Sequence, residues 1–110
     1  MNWMVNRFMR IIVFFDLPVN TKSRRKAYST FRKYLIQNGF VMVQYSVYSR
    51  TVRNYDDAAK YKDRLSKNLP PEGSVRVMTV TEKQYDSMSI LVGEKTKEEN
   101  YLDSRDIIEL

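Results

Sequence analysis

The run Ile11-Ile12-Val13-Phe14-Phe15 constrains this chain more than any other stretch. Five consecutive β-branched or aromatic residues suit a strand buried on both sides. Asp16 ends the run. Leu17-Pro18 then takes the chain out of the sheet, because proline has no amide hydrogen to give a ladder. Side chains alternate along a strand, so Ile11, Val13 and Phe15 face one way and Ile12, Phe14 and Asp16 the other. Both faces need a cover. Asp16 is also the only acidic residue between Met1 and Tyr55.

The next segment reads as a helix from a cap at Asn20 or Thr21 to about Asn38, with Gly39 as its stop. Ala27, Phe31 and Leu35 recur every four residues and, with Tyr28 and Tyr34 beside them, form a core stripe. Phe40–Val43 and Gln44–Ser49 are strand material with a turn or bulge inside. From Gln44, simple alternation puts Tyr45 and Val47 on one side and Gln44, Ser46 and Tyr48 on the other. Asn54 caps a second helix with Asp56 and Asp57 in its first turn and Ala58, Tyr61 and Leu65 as its core stripe. Asp56 with Lys60 and Asp63 with Lys67 are acid-first pairs four residues apart, which makes those acids structural. Pro70-Pro71-Glu72-Gly73 stops the helix. Ser74–Thr81 reads as a strand, Glu82–Asp86 as a polar connector, and Met88–Val92 as a short extra strand ended by Gly93.

The order predicts an α+β, ferredoxin-like βαββαβ domain with an extra C-terminal strand and both helices on one face of the sheet. With 110 residues the chain makes one domain with a small core, assigned to 1–92. Residues 93–110 are acidic and poor in core residues, a tail that is flexible or docks a partner. The second sheet face should be wet in this plan, yet Ile12 and Phe14 make it apolar. A second copy packed sheet to sheet, as a two-fold homodimer, would cover it.

The absence of cysteine and histidine excludes disulfides, thiolate or imidazole zinc sites, and Ser-His or Cys-His nucleophiles. Catalysis would have to rest on carboxylates with a hard metal, or on Tyr, Lys or Arg. The apolar runs are too short for a membrane span, so the expected place is the cytoplasm. The net charge of +6 conceals an asymmetry: ten basic residues through Arg53 face one acid, and from Asn54 nine meet twelve. Lys22, Arg24, Arg25 and Lys26 crowd a helix N-terminus, where each is unfavourable by a few tenths of a kcal/mol, roughly, against the dipole and its neighbours. An anion would offset that. Lys22, Arg24, Arg25, Lys26, Arg32, Lys33, Arg50 and Arg53 are therefore the candidate nucleic-acid contacts, against the simpler account of a solvated helix face.

Met9–Pro18, the basic stretch Arg24-Arg25-Lys26-Ala27-Tyr28, Gln44-Tyr45-Ser46-Val47-Tyr48 and Val77–Gln84, in this order and spacing, resemble the CRISPR-associated Cas-two family over about residues 7 to 92. Residues 1–8 precede the Met with which many members begin, and the tail beyond Gly93 supports no transfer. The resemblance implies a homodimer, often with the last strand added to the partner's sheet. It implies a part in acquiring new spacers, between pairs of the Cas-one integrase, and a metal-dependent phosphodiesterase activity on RNA or DNA. The family's motif Asp falls on Asp16, as catalytic residue and magnesium ligand near the two-fold axis.

Mg²⁺ takes oxygen ligands and keeps several waters, so Asp16 with Asp16 of a second subunit would suffice. Two carboxylates that close repel unless a cation sits between them. The residues alone leave open that Asp16 merely ends the strand and organises the Leu-Pro turn. The leading reading is a dimeric DNA-binding component of the spacer-integration complex, gripping duplex backbone without reading sequence. The alternatives are a Mg²⁺-dependent endoribonuclease or deoxyribonuclease acting alone and, more weakly, a single-stranded RNA binder. The last would stack bases on Phe14 and Tyr48 if the second face were open, although packing is the simpler role for both.

Overall fold

The computed structural model describes residues 8–96. One antiparallel sheet holds β1 (Met9–Asp16), β2 (Val41–Gln44), β3 (Val47–Val52) and β4 (Ser74–Thr81) in the order β2-β3-β1-β4. Helix α1 (Lys22–Gln37) links β1 to β2, α2 (Tyr55–Ser66) links β3 to β4, and a short α3 (Glu82–Asp86) follows β4. This is the ferredoxin-like α+β plan. The apolar run lies in the inner strand β1, paired with β4 from Met9↔Thr81 to Asp16↔Ser74 and with β3 from Met9↔Val52 to Phe14↔Val47.

The caps explain where the helices start and stop. Thr21 Oγ1 accepts the Arg24 amide at 3.1 Å, Asn38 closes α1, and Gly39 follows at φ +81°. Asn54 Oδ1 accepts the Asp57 amide at 2.8 Å. Asp57 in turn accepts the Arg53 amide at 3.1 Å, and that bond, more than the ion pair with Lys60, holds its carboxyl below the usual range.

Ile11, Val13 and Phe15 point to the helices and pack with Phe31 and Leu35 of α1 and Ala58 and Leu65 of α2. Phe15 is the hub. Phe31 meets its ring edge-on at 5.2 Å, Tyr48 stacks at 5.7 Å and Tyr28 tilts against it at 5.9 Å. Each such ring pair contributes about 0.5–1.5 kcal/mol beyond the area it buries.

The structure departs from the sequence expectations in four places. Lys60 pairs with Asp57 at 3.1 Å, three residues away, rather than with Asp56. Tyr45 and Ser46 form a turn, so the alternation from Gln44 is broken and Gln44 pairs with Val47 on one face. Tyr48 consequently points into the helix-side core beside Val13, which settles its role as packing. Glu82–Asp86 is helical rather than a plain connector. Thr81 and Gln84 close a reciprocal capping box at 3.0 and 2.9 Å. Met88–Val92 form no strand within this chain, and Leu91 and Val92 are more than nine-tenths exposed. A strand needs a ladder partner, and α3 turns the chain away from the edge of β4 onto the second sheet face.

That turn gives the second face part of its cover from within the chain. Arg10, one of the ten basic residues of the cation-rich half, is 1% exposed. Its Nε and Nη2 donate to the Glu82 carboxylate at 2.9–3.1 Å, and its guanidinium stacks 4.1 Å over the Tyr85 ring. Removing the carboxylate from a buried guanidinium is a costly kind of substitution. Glu82→Ala should lower stability by about 3 kcal/mol and Glu82→Gln by less, read as a shift of the urea midpoint at unchanged slope. Further along the same face Ile12 is buried, while Phe14 stays 38% and Met78 51% exposed.

Candidate nucleic-acid interface

Alpha-helical spacing decides which of the candidate cations act together. Arg25 and Lys26 follow Lys22 by three and four residues, Arg32 and Lys33 follow them by seven, and all five lie exposed along one side of α1. α1 contains no acidic residue, and among the described residues only Arg25 and Arg32 of this row are tied to the fold, by Arg25 Nη1 to the Val19 carbonyl at 3.2 Å and by Arg32 Nε to the Tyr48 hydroxyl at 2.9 Å. Arg24 faces the other way. It pairs with Glu72 at 3.0 Å and with Asn20 at 2.9 Å, fastening the start of α1 to the turn before β4.

Arg50 and Arg53 stand apart from this row. Arg50 sits opposite Ile11 on the helix side of the sheet. There it donates to the Asn38 carbonyl at 3.0 Å and to the Tyr61 hydroxyl, with its guanidinium 4.0 Å over the Tyr61 ring. Its group therefore braces α1, α2 and β3. Gly39, at φ +81°, suits the place beside it: a Cβ there would lie 1.9 Å from Arg50 Nη1 and displace the guanidinium from its bonds. Arg53 is exposed and 3.7 Å from Asp57. It follows Val52, the partner of Met9, and so leaves the sheet at the end opposite Asp16.

Asp16 closes β1 in the open. Its side chain is exposed and, among the described residues, takes no hydrogen bond or ion pair. Two neighbours that the sequence did not single out fix its backbone. The Ser46 carbonyl accepts the Phe15 amide at 3.0 Å from a left-handed turn (φ +66°), an uncommon conformation outside glycine. Gly73, at φ +99°, lies so close that a Cβ would sit 2.6 Å from the Asp16 carbonyl oxygen. At the same hairpin tip Tyr28 stacks on Tyr45 at 6.3 Å, and burial together with the bond to Tyr45 pushes the Tyr28 phenol above its usual value. Among the described residues no three acidic side chains cluster to hold a metal ion.

These features define a ferredoxin-like α+β domain with one exposed carboxylate at the end of an inner strand and a cationic helix. Residues 9–88 match the family model described as CRISPR associated protein Cas2. A curated relative from Acidovorax ebreus (strain TPSY) is 56% identical over 85 residues, covering 77% of this chain and 83% of the relative. One from Treponema denticola is 52% identical over 100 residues, covering 91% and 99%. Both are named CRISPR-associated endoribonuclease Cas2. A solved structure titled "Crystal structure of cas2" superposes with a TM-score of 0.50 at 18% identity, covering 82% of this chain and 92% of that one, which bears on the fold alone. The chain belongs to the CRISPR-associated Cas2 family. No helix among the described residues is long and apolar enough to cross a membrane.

Proposed function

We propose that this chain works as a homodimer that grips nucleic-acid backbone during CRISPR spacer acquisition, with duplex DNA as the ligand and the Cas-one integrase as partner. The observation that carries the reading is the exposed row Lys22, Arg25, Lys26, Arg32 and Lys33 on a helix without a single acid. Such a row neutralises phosphates and carries no base-specific information. The dimer is supported by Phe14 and Met78, which leave apolar surface open on the sheet face that Asp16 shares. Fluorescence anisotropy with unrelated duplexes of equal length tests this: affinities should agree within about threefold and fall steeply with salt. Sequence-selective binding with a shallow salt slope would refute it.

A second reading, Mg²⁺-dependent phosphodiester cleavage, is favoured by the relatives' names and by the unpartnered Asp16 carboxylate. Oxygen donors suit Mg²⁺, but one carboxylate is a sparse set, so a second Asp16 from the other copy would complete the pair. The bound ion would supply Lewis acidity and a water of lowered pKa. Within this chain the Phe15–Ser46 bond and the Gly73 contact would hold Asp16 in place, and the cations of α1 would hold the strand. RNA is then the alternative substrate to DNA.

A further inference from the structure

Tyr45 is an exposed aromatic side chain that the fold nevertheless holds in place. Its ring stacks on Tyr28 of α1 at 6.3 Å with the planes 22° apart, yet the residue is 76% exposed. With Tyr28 on one face, an exposure this large leaves the opposite face to solvent. A side-chain hydrogen bond joins the same two residues. The ring is therefore positioned before any ligand arrives, which lowers the entropy lost on binding. Its surroundings carry phosphate-binding charge. Tyr28 lies three residues after Arg25 and four before Arg32, so both cations flank it on the surface of α1. The cationic row thus passes beside the Tyr45 ring.

Cations along a backbone path with an open aromatic face beside them are the two parts of a site for unpaired nucleotides. The other rings considered for stacking do not offer this pairing. Tyr48 is 2% exposed, and Phe14 lies on the second sheet face, away from α1. The Tyr45-Ser46 turn is also tied to β1 by the Phe15–Ser46 bond at 3.0 Å, which sets the ring at the Asp16 end of the sheet. We propose that Tyr45 is a base-stacking residue, which takes an unpaired nucleobase on its open face while the cations of α1 hold the neighbouring phosphates. This rests on the nucleic-acid reading above and adds what the site distinguishes, the pairing state of the base. Every base has a π-face, so the contact brings no sequence preference. Bases inside a duplex are covered by their neighbours and gain nothing from Tyr45.

Three substitutions in the full-length chain test this. Tyr45→Ser removes the ring, Tyr45→Leu keeps an apolar cover on Tyr28 without a π-face, and Tyr45→Phe keeps the ring. In fluorescence anisotropy, a single-stranded DNA should bind Tyr45→Ser and Tyr45→Leu about 5- to 100-fold more weakly than wild type, and Tyr45→Phe within about twofold of it. The same strand annealed to its complement should bind all four chains alike. Equal losses on both ligands make Tyr45 a structural residue and overturn the proposal. Equal affinity of all four chains for the single strand also overturns it, and leaves the phosphate grip standing if the duplex still binds with a steep salt dependence. A wild-type chain that binds neither ligand refutes the nucleic-acid reading and the stacking role with it. Trp3 is the only tryptophan, so Trp3→Phe combined with Tyr45→Trp places a single indole at the site. Its emission should be quenched by the bound single strand and not by the bound duplex. Emission that a bound single strand leaves unchanged overturns the proposal.

Discussion

Replacing Arg25, Lys26 and Lys33 together by Gln should weaken duplex binding by about 10²- to 10³-fold at 0.1 M salt, and flatten the salt dependence by about 0.9 for each phosphate no longer neutralised. These three are chosen because the fold does not depend on them. Lys26 and Lys33 are exposed, Arg25 gives up one bond to the Val19 carbonyl, and Gln is nearly as good a helix former. Arg32 is spared because it holds the Tyr48 hydroxyl. Removing cations from the first turns of α1 also relieves repulsion by the helix dipole, so the melting temperature should hold or rise slightly. Lower affinity without lower stability would show that these cations serve the phosphates and not the fold. An unchanged salt slope would mean that α1 does not face the nucleic acid.

The same residues show how far the chain could be read in advance. The fold was legible because its signals are local: an apolar run for β1, a four-residue stripe with a cap at Asn20 or Thr21 and a stop at Gly39 for α1, and Asn54 for α2. The extra strand at Met88–Val92 was not, because apolar composition does not supply a ladder partner and α3 redirects the chain. The capping box Thr81-Glu82-Lys83-Gln84 was a readable sign of that helix. The cations were read as one set from charge alone, and three-dimensional pairing divides them. Arg24 goes to Glu72 and Arg50 to Tyr61 and Asn38, while Arg10, outside that set, goes to Glu82. Glu72 and Glu82 lie 48 and 72 residues from their partners, beyond any periodicity. Gly73 was visible as a turn, but its closeness to Asp16 exists only once β1 and β4 are paired.

Asp16→Ala is the substitution that separates the two proposed readings. Its carboxylate is exposed and makes no bond among the described residues, so the change should alter stability by no more than about 0.5 kcal/mol. If the two Asp16 carboxylates of a dimer hold Mg²⁺, cleavage should fall by about 10²- to 10³-fold, a loss of about 3–4 kcal/mol of transition-state stabilisation. Duplex affinity should stay the same or rise a little, because one negative charge per chain is gone from a strand end near a cationic helix. Asp16→Asn should behave alike for cleavage, since an amide keeps the shape and lacks the charge that Mg²⁺ requires. Added EDTA should reduce wild-type cleavage to the level of either variant and leave binding unchanged. Spacer integration assayed with the same variants then decides the cellular weight of the carboxylate. Integration that survives Asp16→Ala makes the backbone grip of α1 the working part of the molecule, and integration that fails with cleavage makes the metal site indispensable.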